Sequence, residues 1–450
     1  MKNFITDRQT TEDLNLLGRF KKDSVINIFD RTKTRAGRQE LEDMFRNPMT
    51  SAQEINQRSE VFSYYKELNK EFPFDETQVE LIEYYINSNT STDALSSAMG
   101  IFTSKCKLVL ANNKAYEKML EGMGVLAKVA LGTVEMVETF PRENCPEIKD
   151  IDTLTSAITS DHRKKLQTIA TKSVDMTLGQ AISADKLLRL TLGDAIRTMM
   201  PLLARLDLCM SVGSAAADKG FGFAEAVESK DRFIEMEGVY HPSLVKPVAN
   251  DLRIDGEKNV FFLTGVNMAG KSTFMKAVSI ALYLAQMGFP VPASKIRFTP
   301  VDGIFTSINV PDDIAQGYSH FYAEVLRVKS IAQRVAEGRN LFVIFDELFK
   351  GTNVKDAYDA TLAVTDAYAS HRNCLYIIST HIVEVGPALS EKCGNVQFRF
   401  LPTPMDGTRR VYPYKWAEGI SADRHGMTII KNEKILDIIR GEVQRGTEPR

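Results

Sequence analysis

The sequence has few cysteines and no long apolar run. Its 450 residues include five cysteines, an odd number, and none of them forms a CxxC pair. This pattern argues against a disulfide framework or a thiolate zinc site, and it is typical of reduced thiols in a cytosolic protein. No apolar stretch reaches the ~20 residues of a membrane span, and the polar start after Met1 is unlike a secretory signal. We therefore expect a cytoplasmic protein that does not enter a membrane.

Neither sign of charge dominates the chain. Fifty-six basic and 58 acidic residues give a net charge of -2, which excludes a globally polycationic protein. Binding to nucleic acid would then need a local basic surface. The hydrophobic fraction of 44% and the charged fraction of 25% are ordinary for a globular protein. The length allows about two to four domains.

The chain reads as two halves. From about residue 10 to 230, apolar residues recur at three- and four-residue spacing, which predicts helices. The predicted helices are Leu14–Phe29, Gly37–Phe45, Ala52–Leu68 and Ala115–Ala130. From about residue 235, helical patterns alternate with short β-rich runs at Val260–Thr264, Leu341–Phe345, Leu375–Ser379 and Val396–Leu401. We predict an α+α/β protein, with an all-helical domain over 1–232 and an α/β domain with a largely parallel sheet over 233–450.

The strongest motif lies between the strand Val260–Thr264 and the helix that follows it. The motif GxxxxGK[ST] is matched in full by Gly265-Val266-Asn267-Met268-Ala269-Gly270-Lys271-Ser272-Thr273. Glycines let such a loop wrap around phosphates, and the start of a helix favours their negative charge. We expect Lys271 to reach the β- and γ-phosphates of a nucleotide and the Ser272 hydroxyl to ligate Mg²⁺. The alternative is that the GxxxxGK[ST] pattern matches by chance on an ordinary strand–turn–helix connection.

A second apolar strand, Leu341–Phe345, ends in two acids, Asp346 and Glu347. We expect Asp346 to hold Mg²⁺ and Glu347 to polarise the attacking water. Acids at a strand end are often merely solvated, so this reading depends on the phosphate loop. His381 follows the third strand and would sit beside the γ-phosphate, although a single histidine of this kind is often structural.

These motifs together resemble the ATPase domain of the MutS family of DNA mismatch-repair proteins, an ABC-class domain. The family loop reads Gly-Pro-Asn-Met-x-Gly-Lys-Ser-Thr, and Asn267 and Met268 agree with it, whereas Val266 replaces the proline. The family's acid strand continues Asp-Glu-Leu-Gly-Arg-Gly-Thr. Here Phe349 replaces the first of those glycines and puts the local loop shape in question, while Lys350 keeps the charge of the arginine. The resemblance implies ATP and Mg²⁺ as cofactors.

Further segments resemble the same family. Ser319-His320-Phe321 with Glu324 is similar to the family signature Ser-Thr-Phe-x-x-Glu, whose serine faces the γ-phosphate bound by the other subunit. The resemblance therefore implies a homodimer in which Ser319 acts in trans, although a plain N-cap is the simpler reading of this serine. Glu418–Ser421 is similar to a segment near the family's dimer interface, and the ATPase domain is expected to end in dimerisation helices.

The N-terminal half is similar to the family's core, or lever, domain. Only about 15–25 residues precede that match, so we expect a short form that lacks the mismatch-recognition and connector domains, with the DNA clamp absent or reduced. The run Arg163-Lys164-Lys165 could touch DNA phosphates, but such runs are more often a solvated helix face.

The resulting interpretation is a MutS-like ATPase whose dimeric cycle moves helical arms, with DNA as the load and a repair protein as a further possible partner. Mismatch repair or a recombination-related process is the implied setting. The alternative is a nucleotide-switched scaffold that binds a protein partner and not DNA, and the net charge slightly favours it. A degenerate, inactive paralogue is a third reading, which the intact motif residues disfavour.

Overall fold

The computed structural model describes residues 3–18, 23–88, 99–101, 103–105, 114–266, 268–308, 320–406, 409–421 and 438–440. The chain divides into two compact units. Unit 1 consists of Met1–Leu17, Pro48–Asn56 and Gly222–Arg450, and unit 2 consists of Gly18–Asn47 and Gln57–Phe221. The predicted division at 232/233 treats each domain as one continuous segment, whereas unit 1 also takes in two short N-terminal stretches.

Unit 1 is built on a six-stranded sheet in the order β12-β9-β4-β8-β7-β6. Its strands are β4 (Val260–Thr264), β6 (Gly303–Ser307), β7 (Leu341–Phe345), β8 (Leu375–Thr380), β9 (Val396–Phe400) and β12 (Ala417–Glu418). β9, β4, β8, β7 and β6 are mutually parallel, and β12 runs antiparallel at the edge. Every residue of β4, β7 and β8 is buried, as expected for a parallel sheet covered on both faces. The predicted α/β domain with a parallel sheet is confirmed.

Helices and a second sheet complete unit 1. Its helices are α1 (Arg8–Asp13), α11 (Lys271–Gln286), α12 (His320–Ala336), α13 (Val354–Ala369) and α14 (Val385–Lys392). A four-stranded sheet has the order β1-β5-β2-β3, formed by β1 (Ala224–Ala226), β2 (Phe233–Val239), β3 (Asn250–Asp255) and β5 (Lys295–Phe298). β10 (Met405–Asp406) pairs antiparallel with β11 (Arg409–Arg410).

The N-terminal segment runs along the outer edge of β6. Ile5 forms a parallel bridge with Gly303, with Ile5 N–H donating to Asp302 O at 2.9 Å and Ile304 N–H donating to Ile5 O at 3.2 Å. Further along, the Asp13 carboxylate accepts hydrogen bonds from Thr306 Oγ1 at 2.7 Å and Ile308 N at 3.0 Å. These contacts satisfy backbone groups that an edge strand would otherwise expose.

Unit 2 contains a series of helices. They are α2 (Val25–Phe29), α3 (Arg35–Arg46), α5 (Glu76–Ser88), α6 (Ala115–Glu138), α7 (Ile148–Ala157), α8 (Ser160–Lys172), α9 (Leu178–Asp185) and α10 (Gly193–Lys219), with a 3₁₀ turn at Ser173–Asp175 and a π-helical turn at Lys186–Thr191. Helix α4 (Ala52–Leu68) begins in unit 1, and its residues from Gln57 onward belong to unit 2. Among the described residues, no helix is long and apolar enough to cross a membrane.

Most of the predicted elements are found, with one clear exception. The four predicted strands correspond to β4, β7, β8 and β9, and the helix predicted at Ala52–Leu68 is α4. The helix predicted at Leu14–Phe29 is wrong, because α1 ends at Asp13 and the next helix spans only Val25–Phe29. The reason is local, since Asn15 adopts a left-handed φ of 49° and turns the chain away from the helix axis.

A buried carboxylate sets the start of α3. Asp207, on α10, is fully buried and accepts hydrogen bonds from the backbone N–H groups of Lys33 and Thr34 and from Thr34 Oγ1. Thr34 is the N-cap of α3, and its Oγ1 also accepts from Gly37 N at 3.0 Å. One side chain therefore fixes a helix cap that lies more than 170 residues away in sequence.

We expect Asp207→Ala to lower the free energy of unfolding by about 1–3 kcal/mol, because the buried donors of Lys33 and Thr34 lose their acceptor. The matched control is Asp218→Ala on the same helix, where the carboxylate forms an exposed pair with Arg31. Such a pair contributes at most about 1 kcal/mol. Urea unfolding of both variants tests the difference, and equal losses would contradict the capping role.

Candidate active site

The loop after β4 has an unusual backbone. Gly265 and Gly270 have positive φ values of 148° and 100°, and Met268 has a φ of 68°. Gly270 is the N-cap of α11, and Phe274 N–H donates to its carbonyl at 2.9 Å. The two glycines therefore allow the chain to curl tightly before the helix begins. Asn267 lies outside the described residues.

Lys271 stands at the first position of α11 and points back into this loop. Its side chain is only 3% exposed, and Nζ donates to Gly265 O at 2.8 Å and to Val266 O at 3.3 Å. Burial lowers the pKa of Lys271, and the carboxylates of Glu347 and Asp346 act in the opposite direction. An ammonium held by neutral carbonyls inside a glycine loop is suited to receive an anion.

The two acids follow directly after β7. Asp346 is buried, its N–H donates to Ser307 O at 2.9 Å, and its Oδ1 accepts from Ser379 Oγ at 2.5 Å. Glu347 adopts a left-handed φ of 58°, which costs a non-glycine residue about 1–3 kcal/mol. The pairing of β7 with β8 brings the acids beside the end of β8, where Ser379 and His381 lie.

Three basic groups surround the Glu347 carboxylate. His381 Nε2 lies 2.6 Å from Oε1, Lys271 Nζ lies 3.9 Å from Oε1, and Lys350 Nζ lies 3.9 Å from Oε2. The hydrogen bond from His381 is the largest cause that lowers the pKa of Glu347, and the nearby charges outweigh the opposing effect of burial. Glu347 is therefore a carboxylate at neutral pH, and its hydrogen bond with His381 fixes its orientation.

A cavity of about 620 Å³ opens above the loop. Its lining includes the polar side chains of Lys271, Ser272 and Glu347 and the apolar side chains of Leu244 and Val248. A buried cation, a glycine loop and hard oxygen donors from Ser272 and Asp346 fit a polyphosphate with Mg²⁺. The apolar side chains in the lining can contact a less polar part of the same ligand.

Tyr414 is a component that the sequence analysis did not single out. It lines the same cavity, and a Cβ atom on Gly270 would come within 3.0 Å of Tyr414 Cδ1. Its carbonyl accepts from Asn250 Nδ2 at 2.8 Å, and its ring stacks on Tyr412 with centroids 6.1 Å apart. The aromatic run from Tyr412 to Trp416 was the available signal in the sequence.

The other residues singled out from the sequence differ in their exposure, and one of them lies outside the described residues. Val266 lines the cavity, Ala269 is buried and Thr273 is exposed in the first turn of α11. Met268 is 80% exposed at the cavity rim. Ser319 lies outside the described residues, and helix α12 begins immediately after it at His320.

Comparisons with known proteins find relatives of this chain. The sequence pattern of MutS domain V matches residues 261–443, which include the loop lysine, both acids and His381. The DNA mismatch repair protein Msh6 of Gallus gallus is 26% identical over 351 residues, which is 70% of this chain and 25% of that protein. The DNA mismatch repair protein MutS of Thermotoga sp. (strain RQ2) is 29% identical over 239 residues, or 52% of this chain and 29% of that protein. The MutS protein of Persephonella marina is 30% identical over 244 residues, which cover 53% of this chain and 28% of the relative.

Residues 261–443 thus carry a MutS domain V, and the chain is similar to MutS-family proteins. The matched part is between 25% and 29% of the length of these MutS-family relatives. The family resemblance expected from the sequence is thus confirmed for this segment.

The departure at Phe349 from the MutS pattern has a structural explanation. Phe349 adopts a left-handed φ of 61°, a conformation that the family's glycine reaches without strain. Its ring is buried and packs edge-on against Phe321, with centroids 6.0 Å apart. The loop therefore keeps a glycine-like backbone, and aromatic packing offsets the strain.

This arrangement predicts that glycine is a more stable replacement than alanine for Phe349, the reverse of the usual order inside a helix. Phe349→Gly and Phe349→Ala both lose the buried ring, which costs about 3–5 kcal/mol. We expect the glycine variant to be the more stable by about 1 kcal/mol, because alanine retains the left-handed strain. At Phe321, in helix α12, the order reverses and alanine is favoured by about 0.5–1 kcal/mol. Chemical denaturation of the four variants tests this, and an alanine advantage at both positions would contradict it.

Proposed function

We propose that this chain binds ATP with Mg²⁺ and hydrolyses it to ADP and phosphate. One observation carries the proposal, namely that Lys271 and His381 both approach the Glu347 carboxylate beneath a glycine loop. A cation for phosphate, an ionised carboxylate for water and an oriented histidine are the parts that phosphoryl transfer to water requires.

The loop residues Gly265–Thr273 hold the phosphates in this proposal. Their backbone N–H groups and the start of α11 offer donors to anionic oxygens. Lys271 exchanges its loop carbonyl partners for phosphate oxygens, to which its charge is better matched. The base of the nucleotide enters the apolar part of the cavity, where Tyr414 offers a ring face.

Hydrolysis uses residues at the ends of β7 and β8. Ser272 and Asp346 supply oxygen ligands for Mg²⁺, which when bound neutralises charge on the β- and γ-phosphates. Glu347 orients and polarises the attacking water, and it accepts the proton as the water adds to the γ-phosphorus and the bond from that phosphorus to the departing ADP oxygen breaks. His381 holds Glu347 in position through its 2.6 Å contact and lies near the place that the γ-phosphate would occupy.

We further propose that the active form is a homodimer in which Ser319 completes the site of the partner. What supports this is the family signature around Ser319 and the exposed apolar side chains beside the site. Met268 and Val245, which both line the cavity, are 80% and 94% exposed. Clustered exposed apolar groups often mark a surface that another chain covers. Nucleotide-dependent dimerisation would then move the helical arms, which we assign to unit 2.

DNA is the proposed load, with mismatch repair or recombination as the setting and a repair protein as a possible further partner. The matched relatives named as DNA mismatch repair proteins support this choice. An observation on α8 favours the alternative of a scaffold for a protein partner. Arg163 pairs with Glu138 and Lys165 pairs with Asp161, so two of the three basic residues considered for DNA already have acidic partners.

Glu347→Gln should separate binding from hydrolysis. The amide keeps the size of the side chain but cannot accept the proton, so we expect the turnover rate to fall about 10²- to 10⁴-fold while ATP remains bound. The matched control is Glu391→Gln on the exposed face of α14, which should leave turnover unchanged. Phosphate release and retention of a fluorescent ATP analogue are the measurements. Normal turnover by Glu347→Gln would remove Glu347 from its assigned role.

Whether DNA is the partner can be tested by measuring the affinity of the protein for homoduplex, mismatched, single-stranded and four-way-junction DNA. The measurements are made across salt concentrations, with and without ATP. If DNA is the load, the affinity for one of these should change with ATP. It should also fall steeply with salt, because phosphate contacts release counterions. No binding to any of them, together with measurable ATP hydrolysis, would favour the protein-binding scaffold.

A further inference from the structure

Ser379 lies between the two acids of the site, although the sequence analysis gave it no role. It is the fifth residue of β8 and is completely buried. In the register of the sheet, Ile378 pairs with Phe345, the last residue of β7. The next residue on each strand is Ser379 on β8 and Asp346 after β7. The parallel pairing thus brings a hydroxyl beside the start of the acidic turn.

The Ser379 hydroxyl contacts both acidic residues. Its Oγ donates to Asp346 Oδ1 at 2.5 Å and accepts the Glu347 N–H at 3.1 Å. The same N–H also donates to the Ser379 carbonyl at 3.1 Å. Because the Glu347 N–H can only donate, the hydroxyl must accept from it, and its single proton is then directed to the Asp346 carboxylate.

This bridge requires a group that both donates and accepts. Asp346 offers only acceptor oxygens and the Glu347 backbone offers only a donor, so an aliphatic side chain at position 379 cannot link them. The link also acts on a strained residue, since Glu347 has a φ of 58°. A left-handed residue persists where surrounding contacts hold it, and Ser379 supplies two of these contacts.

We infer that Ser379 is a positioning residue for the proposed ATPase reaction, orienting Asp346 toward Mg²⁺ and fixing the backbone from which Glu347 reaches water. The inference rests on the proposed function, because it assigns Ser379 to the metal and water side of that reaction. Ser379 acts through the two acids and is not itself assigned a contact with nucleotide.

The test compares the wild-type chain of 450 residues with Ser379→Ala. Loss of a residue that orients a metal ligand costs about 10- to 100-fold in metal affinity or activity. We expect kcat to fall by that factor with little change in the KM for ATP. The Mg²⁺ concentration that gives half-maximal activity should rise about tenfold.

A second readout does not depend on turnover. A fluorescent ADP analogue is titrated with the protein in EDTA and then in Mg²⁺. In EDTA, Ser379→Ala should bind the ADP analogue as wild type does. The gain in affinity on adding Mg²⁺ should be smaller than in wild type by about tenfold or more. A residue needed only for packing would alter both titrations together.

Three further variants complete the design. Ser379→Thr keeps the hydroxyl and should recover most of the Mg²⁺ effect. Ser379→Cys keeps nearly the same shape with a weak donor, and it should behave as the alanine variant does. It therefore decides the case if alanine fails to fold. Ser279→Ala removes another fully buried hydroxyl of unit 1, which donates to Met275 O within α11, and should leave both readouts unchanged.

The outcomes are distinct. A wild-type protein that neither binds nor hydrolyses ATP would overturn the proposed function and this inference with it. An active wild type with unchanged kcat and Mg²⁺ response in Ser379→Ala, or in Ser379→Cys if alanine does not fold, would overturn the assignment of Ser379 alone.

Discussion

The parallel pairing of β8 with β4 on one side and β7 on the other is the constraint on which the site depends. Parallel strands deliver their carboxyl ends to one edge of a sheet, where ligands bind in open α/β folds. The glycine loop, the acidic turn and His381 therefore meet, although more than 100 residues separate Lys271 from His381. The burial of all three strands fixes this register, since a slip would misplace every side chain.

Strained backbone conformations occur in the loops of the proposed active site. Met268, Glu347 and Phe349 are non-glycine residues with left-handed backbones, and all three lie in the two loops at this edge. Two of them are held by neighbouring contacts: the Ser379 hydroxyl and carbonyl hold Glu347, and the Phe321 ring packs on Phe349. A turn held in this way is preorganised, so its groups need little rearrangement when a ligand arrives.

The sequence predicted the parts of this site that rest on local pattern. Apolar runs located β4, β7, β8 and β9, and the phosphate-loop motif located the turn before α11. Ser379 and Tyr414 were missed because their roles depend on which strand or loop lies beside them, and a single sequence does not record that neighbourhood. The left-handed turn at Asn15 was missed for a different reason, since one residue's backbone conformation overrode the helical spacing around it. Ser319 and the domain limits stay predictions.

The strand-like N-terminal segment has a consequence for how unit 1 is assembled. Its partner on β6 lies almost 300 residues later in the chain, so the edge can be covered only after most of the polypeptide has been synthesised. Contacts of such long range slow folding, because a large loop must close before they form. Until then β6 presents open hydrogen-bonding groups, which can pair with the edge of another chain. A fragment that starts at residue 233 would retain that open edge permanently, and its aggregation would then reflect the missing first 17 residues rather than a defect in the nucleotide site.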